Sequence, residues 1–483
     1  MAAALSGVLA YLAFGLLGLI GRPRLFSLLA LAAGVATFSL WAPGFPEVLV
    51  GGLPWGIAVA GDPWTLGMWA LGLTLHGAVL LHGRARKEEF HPLITLLIGT
   101  CLAGALSRDL FNLFVLMDLS SLLATILVVW ERRERAVWAA FRYLVLTEVG
   151  LILYLMGLGL VYARTGTLSI TALAQLGLGF SEPILAVGAG LLVAGTAVKT
   201  GVFLLGLWLP PAHDQAPTEV SAVLSGLVVK VGVVALARLS EAFPLGPILV
   251  ILGALTGFGG IAYALWEKDI KIFLAHHTAS QLGYMLLGLG LGMELGALLY
   301  AVAHGFFKGL LFLAAGSGVV QTGKREIKEL AGRLSWPVAV GLGVGTWAIA
   351  GLPPLAGFAA KGFLSQGAPF WAKAVFSGLG IGTAASFSKL IPLLRPIGTG
   401  PVGGLAVLVA GVMGLGLGAF FFVPELREPR AVAEAALVAG VGYALHWPLR
   451  RWPLRFPELG LDRSLVSLLF GTLGIVILAL FLR

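Results

Sequence analysis

The chain has 483 residues, of which 58% are hydrophobic and only 11% charged. Soluble domains average about 25% charged residues, so the composition suits a lipid-facing surface and excludes an ordinary water-soluble enzyme. A net charge of +9 would suggest nucleic acid in a soluble protein, but in so apolar a chain it reads as loop charge on one side of a membrane, with no nucleic-acid partner.

A bilayer-spanning helix needs about 20 mainly apolar residues, and the pattern predicts sixteen such segments. Three come first, near 4–20, 25–42 and 64–83. The first runs on without a small-residue cleavage site and is expected to be retained as a span. A block of ten follows near 92–107, 109–130, 136–163, 183–209, 217–241, 245–266, 270–292, 295–320, 334–366 and 370–394, and three more lie near 401–424, 431–448 and 464–482. The segments at 183–209 and 334–366 are too long for one span and meet Pro210-Pro211 and Pro353-Pro354. Proline removes a helical hydrogen bond and clashes with the turn before it. Both segments are therefore expected to be broken helices, which a membrane tolerates only where protein or water lines them.

With sixteen spans, the odd-numbered loops carry nineteen basic residues: Arg22, Arg24, Arg84, Arg86, Lys87, Arg132, Arg133, Arg135, Lys268, Lys271, Lys324, Arg325, Lys328, Arg333, Arg395, Arg450, Arg451, Arg455 and Arg463. The even loops and the C-terminus carry six, namely Arg108, Arg164, Arg238, Arg427, Arg430 and Arg483. The positive-inside rule then puts the odd loops in the cytoplasm and both termini outside. Seven basic residues remain inside spans. Lys373, Lys389 and Arg142 lie near span ends and are expected to snorkel to the interface. Lys199, Lys230, Lys308 and Lys361 are too deep for that.

A single cysteine, Cys101, rules out a disulfide within the chain, and no ligand spacing for a metal or iron–sulfur cluster is present. Glycine strings such as 257–260 follow no strand and suit close helix packing better than a phosphate loop. A haem reading would need facing histidines, and His76, His277 and His304 make a weak case for it. No cofactor is expected.

The buried lysines carry the chemistry. A lysine at the bilayer centre costs about 3 kcal/mol on insertion scales, and four in one chain demand a use. Desolvation lowers a lysine's pKa and a neighbouring carboxylate raises it again, so moving the carboxylate switches the lysine's proton. Asp118, in DLFNLFVLMDLSS, and Glu148, in LVLTEVGL, are the candidate carboxylates. Lys308 follows His304 by four residues and shares its helical face. His276 and His277 open a polar stripe with Thr278, Ser280 and Gln281, suited to carrying water and protons.

These residues, in this order, resemble the antiporter-like membrane subunits of respiratory complex I, membrane-bound hydrogenases and Mrp-type cation/proton antiporters. The likeness runs from about residue 60 to 395 through DLFNLFVLMD, GTAVKTGVFLLGLWLPPAHDQAPTEVSAVLSGLVVKVG, HHTASQLGYM, HGFFKGLLFLAAG and GLPPLAGFAAKG. DLFNLFV is most similar to the D-type membrane component of Mrp antiporters. The resemblance implies an all-α polytopic fold of about fourteen core helices, plus two more here. Within it lie two inverted five-helix repeats, 92–241 and 245–394, each with a discontinuous helix, between flanking spans at 1–91 and 395–483.

It further implies a carboxylate–lysine pair at Asp118 and Lys199 and a following lysine at Lys230. A polar middle at His276, His277, His304 and Lys308 and an exit lysine at Lys361 complete the set. The family's glutamate is here Asp118, one methylene shorter, and Glu148 lies outside the motif. The function implied is proton translocation in a Na⁺/H⁺ antiporter of the cell membrane. The alternatives are a proton-pumping arm of complex I or a hydrogenase, or the membrane half of a proton-driven inorganic-carbon uptake pair. The buried set is dominated by lysines and offers no oxygen-rich sodium cage. Other membrane subunits are therefore expected as partners, with the spans beyond 430 as contacts.

Overall fold

The structure, a computed structural model, describes residues 1–52, 56–82, 89–451 and 460–482. Of the loop cations above, Arg84, Arg86, Lys87, Arg455 and Arg483 lie outside the described residues. Helices α1 (Ala2–Ile20) and α2 (Pro23–Trp41) precede an antiparallel hairpin, β1 (Phe45–Val50) and β2 (Ile57–Gly61), and then α3 (Pro63–His82). The stretch 90–242 holds α4 (Phe90–Leu106), α5 (Leu110–Val128), α6 (Glu134–Thr165), the short α7 (Ile170–Gln175), α8 (Pro183–Thr200) and α9 (Leu209–Gln215). It closes with α10 (Thr218–Val223), a π turn over Leu224–Val228 and α11 (Val229–Ala242). The stretch 246–387 holds α12 (Gly246–Trp266), α13 (Ile270–Gly290), α14 (Glu294–Thr322), the single turn α15 (Ile327–Leu330), α16 (Trp336–Ala350), α17 (Ala356–Ser365) and α18 (Phe370–Phe387). Last come α19 (Gly403–Phe422), α20 (Pro429–Arg450) and α21 (Leu461–Phe481).

Thirteen stretches among the described residues are long and apolar enough to cross a membrane. The shorter α4, the polar α13 and the divided α16–α17 bring the architecture to the sixteen segments read from the sequence. Helices α12 and α13 approach through a small-residue seam in which a side chain on Gly283 would strike the Gly257 backbone.

The two broken helices are made the same way. Helix α8 ends at Gly201, whose φ of +91° only glycine adopts without strain, and Pro210 and Pro211 then sit in the first turn of α9, where missing amide hydrogens do no harm. Helix α16 ends at Gly351, φ +81°, with Pro353 and Pro354 before α17. A break frees carbonyls that lipid cannot satisfy. Indoles answer at both: Trp208 Nε1 donates to Val198 O at 2.7 Å and Trp347 Nε1 to Pro353 O at 2.9 Å.

Ion clusters staple the two ends of the bundle. At one, Arg108 bridges Glu47 of the hairpin to Glu241, and Arg238 pairs with Asp62 at 2.5 Å. At the other, Arg325 holds Asp214, in the last turn of α9, together with Asp269, the N-cap of α13. Burial opposes the Arg325 charge, but Asp214 and Asp269 outweigh it and hold its pKa above the ordinary arginine value.

The two appended helices separate. Helix α20 lies on α18, whereas α21 lies on α6 and α8. Ser467 of α21 donates to Leu204 O inside the first break at 3.0 Å. Both cover their own chain on one side and leave most of their surface open.

Candidate functional site

Three of the expected residues meet around the first break. Lys199 occupies the last turn of α8 and is 1% exposed. Its ammonium donates to Ser121 Oγ at 2.7 Å and reaches the Tyr143 hydroxyl at 3.5 Å. Ser121 stands one turn after Asp118 on α5, so the two share a face. Tyr143 rides on α6 and packs edge-on against Trp208 of the break, ring centroids 4.6 Å apart. Asp118 and Glu148 lie within hydrogen-bond reach of each other, and both act electrostatically on Lys199. Each keeps one buried oxygen with no protein partner. The lysine thus stands on hydroxyls beside a carboxylate pair rather than in direct contact with Asp118.

Gly232 of α11 lets that helix approach Thr200, next to Lys199. Two residues earlier, Lys230 is fully buried and bonds His304 Nδ1 at 2.5 Å. It also donates to the carbonyl of Ser225 inside the π turn, a local distortion of a kind frequent at functional sites. Ser225 Oγ in turn meets Thr278 Oγ1 of α13 at 2.8 Å. Lys308, one turn along α14 from His304, donates to Leu274 O of α13 and lies over the Phe312 ring.

His277 bonds Ser386 of α18 and feels the charges of Lys308 and Lys361. Gln281 then connects Tyr300 and Thr383. Lys361 ends the row on α17, donating to Ile349 O at 2.9 Å and lying 5.3 Å from the centre of the Tyr284 ring. It opens onto a cavity of about 180 Å³ also lined by Lys373 and Glu434.

Several polar atoms in or beside this row have no protein partner: Nδ1 of His277, Oγ of Ser280 and Nε2 of His304 within it, and both nitrogens of His213 beside it. Buried polar atoms of this kind are where ordered water binds. Lysines and histidines separated by such positions can pass protons along hydrogen-bonded chains.

Three expectations change, and the weak haem case loses its first histidine. His276 and His277 do not form one stripe: His276 turns to Tyr263, ring centroids 5.2 Å apart, because successive helical residues diverge by about 100°. Lys389 does not snorkel; it donates to the carbonyls of Ala264, Leu265 and Glu267 and so caps α12. Arg142 does not snorkel either, and instead binds Ser464 of α21 at 2.6 Å. His76 is engaged by Tyr11 and Thr95, which leaves it no place in a facing haem pair.

Sequence reasoning missed Ser121, Tyr143, Ser386 and Tyr284. It also missed His213, fully buried and stacked on Phe312 at 4.3 Å, although the PPAHDQAP stretch that carries it was in view. The signal was a lone histidine placed directly after the double proline of a broken helix.

A family model described as NADH:quinone oxidoreductase/Mrp antiporter, TM, matches residues 107–386. The chain is 33% identical over 374 residues to the N subunit of the NADH-quinone oxidoreductase of Desulforudis audaxviator, covering 70% of this chain and 74% of that one. It is 31% identical over 334 residues to the putative antiporter subunit mnhD2 of Staphylococcus aureus, covering 65% of this chain and 67% of that one. A chain of the Mrp complex from Dietzia superimposes with a TM-score of 0.71 at 24% identity, covering 99% of both chains.

Proposed function

This chain belongs to the NADH:quinone oxidoreductase/Mrp antiporter membrane family, and from that premise we propose that it is the proton-translocating subunit of a multisubunit Na⁺/H⁺ antiporter. It sits in the cell membrane with both termini outside and works with other membrane subunits. The observation that carries the reading is the row of bases from the buried Lys199 to the half-buried Lys361, with a carboxylate pair beside Lys199. In this reading Asp118 and Glu148 set the charge on Lys199. A change in their protonation or position then sends a proton by way of Lys230, His304, Lys308 and His277 to Lys361. His276 and His213 act beside this row rather than in it. Sodium prefers several oxygen ligands, so its route runs at an interface with a partner subunit.

The DLFNLFV stretch and the antiporter-subunit relative support antiport. A proton-pumping arm of a redox complex is the second reading, favoured by the longer match to the oxidoreductase relative. Everted vesicles containing the complete complex separate the two. With a pH gradient imposed, added NaCl should dissipate it in the absence of any electron donor. Proton pumping that depends on NADH or another reductant, with no response to sodium, would replace the first reading by the second.

A further inference from the structure

A cavity of about 660 Å³ opens where α20 leans on the ends of α12, α15 and α18. It lies at the end of the bundle that carries Lys324, Arg333 and Arg395 and most of the other loop cations. Helix α20 is tied here by two hydrogen bonds, His446 Nδ1 to Ala385 O at 2.9 Å and Trp266 Nε1 to Leu449 O at 3.3 Å, and the gap between them is left open. The wall is apolar and aromatic, with Tyr443 and Trp447 from α20 facing Leu393. Tyrosine and tryptophan collect at the headgroup level of membranes because one end of each ring is apolar and the other wet.

The rim is cationic. Lys268, Lys328 and Arg450 border the cavity and form no ion pair among the described residues. Lys389 adds charge from the wall while its own donors are spent on α12 carbonyls. Two carboxylates also line the cavity, Glu326 and Glu267, the latter turned to the backbone amides of Lys268 and Asp269 at 2.7 and 2.8 Å, and the four cations outnumber them. A slot that is apolar within, aromatic at the headgroup level and cationic at the mouth matches one amphiphile, with acyl chain below and phosphate above.

We propose that this cavity binds an anionic phospholipid, its phosphate on Lys268, Lys328 and Arg450 and its acyl chains against the aromatic face of α20. The lipid then serves as the packing that α20 does not obtain from the protein.

Native mass spectrometry of the full chain, purified in detergent and titrated with phosphatidylglycerol, tests this. Phosphatidylcholine of the same acyl chains and inorganic phosphate serve as comparisons. Phosphatidylglycerol should be retained, phosphatidylcholine much less, and inorganic phosphate not at all. The triple variant Lys268→Gln, Lys328→Gln, Arg450→Gln changes exposed side chains only and should lower retention about a hundredfold, roughly fivefold for each cation removed. Ala331→Trp keeps every charge and fills the cavity, and should also lower it. Lys324→Gln with Arg395→Gln, at the same end but outside the cavity, should change nothing. Equal retention of the two lipids, wild-type retention by the triple variant, or inorganic phosphate binding as well as the lipid would each overturn the proposal.

Discussion

The two broken helices use one backbone device for opposite purposes. In the first, Lys199 comes before the break, and the carbonyls that the break frees are answered by others: the Trp208 indole and Ser467 of α21. Its ammonium is therefore free of the backbone and rests on the Ser121 and Tyr143 hydroxyls beside two carboxylates. In the second, Lys361 comes after the break and itself donates to Ile349 O, the carbonyl two residues before Gly351. Helices α5 and α6, ahead of the first break, carry Asp118 and Glu148, whereas α13 and α14, ahead of the second, carry His277, His304 and Lys308. Acids surround one lysine and bases approach the other. A lysine released from the backbone can be switched by its neighbours, while a lysine bonded into a break links its own proton to the shape of the helix.

The largest effect short of removing a lysine should come from the acids. Asp118→Asn should lower cation/proton exchange about a hundredfold, the scale of a lost proton-transfer group. Asp118→Glu should retain or improve exchange, because it restores the missing methylene. Glu148→Gln should have a smaller effect. A silent Asp118→Asn with an inactive Glu148→Gln would move the switch one helix along, to α6.

The break comparison itself is tested by Lys361→Ala, read as both exchange and thermal stability. Exchange should fall about tenfold. Stability should fall by about 1–3 kcal/mol, because the Ile349 carbonyl loses its donor. A Lys361→Ala protein as stable as wild type would show that the lysine does not hold the break together.

Much of this was legible in the sequence. Each span announced itself by length and apolarity, the breaks by their double prolines, and the deep lysines by the energetic cost of their position. The rest depended on helix rotation and on neighbours distant in the chain. Ser121 and Ser386 are hydroxyls that also bond carbonyls of their own helix, so nothing in their surroundings marked them as partners of Lys199 and His277. His276 and His277 are adjacent letters, and only packing decides that one faces the row and the other Tyr263. The place of α21 on the first break could not be read either, since 263 residues separate Ser467 from Leu204.

Glycine at each break offers a finer contrast. Gly351→Ala should be the more damaging of the pair, because its new methyl would lie 2.7 Å from Lys361 Cδ as well as strain a φ of +81°. At Gly201 the nearest atom, Leu209 Cδ1, is 3.2 Å away, which leaves mainly the backbone penalty of about 1–2 kcal/mol. Equal melting temperatures for the two variants would erase the distinction. The smallest effect should come from Arg325→Ala, which releases Asp214 and should loosen α9 by about 1 kcal/mol at a partly exposed ion pair. Amide exchange over 209–215 should quicken while that of α5, α6 and α8 is unchanged.

The central claim is that Lys199 is a proton switch rather than a structural ion, and its alanine variant tests that most directly. Sodium-dependent dissipation of a pH gradient should be measured in everted vesicles carrying the assembled complex with Lys199→Ala, at matched expression. The account predicts that exchange falls to background while the complex assembles and melts as the wild type does, because no backbone carbonyl depends on this ammonium. Normal exchange from a well-assembled Lys199→Ala complex would contradict it.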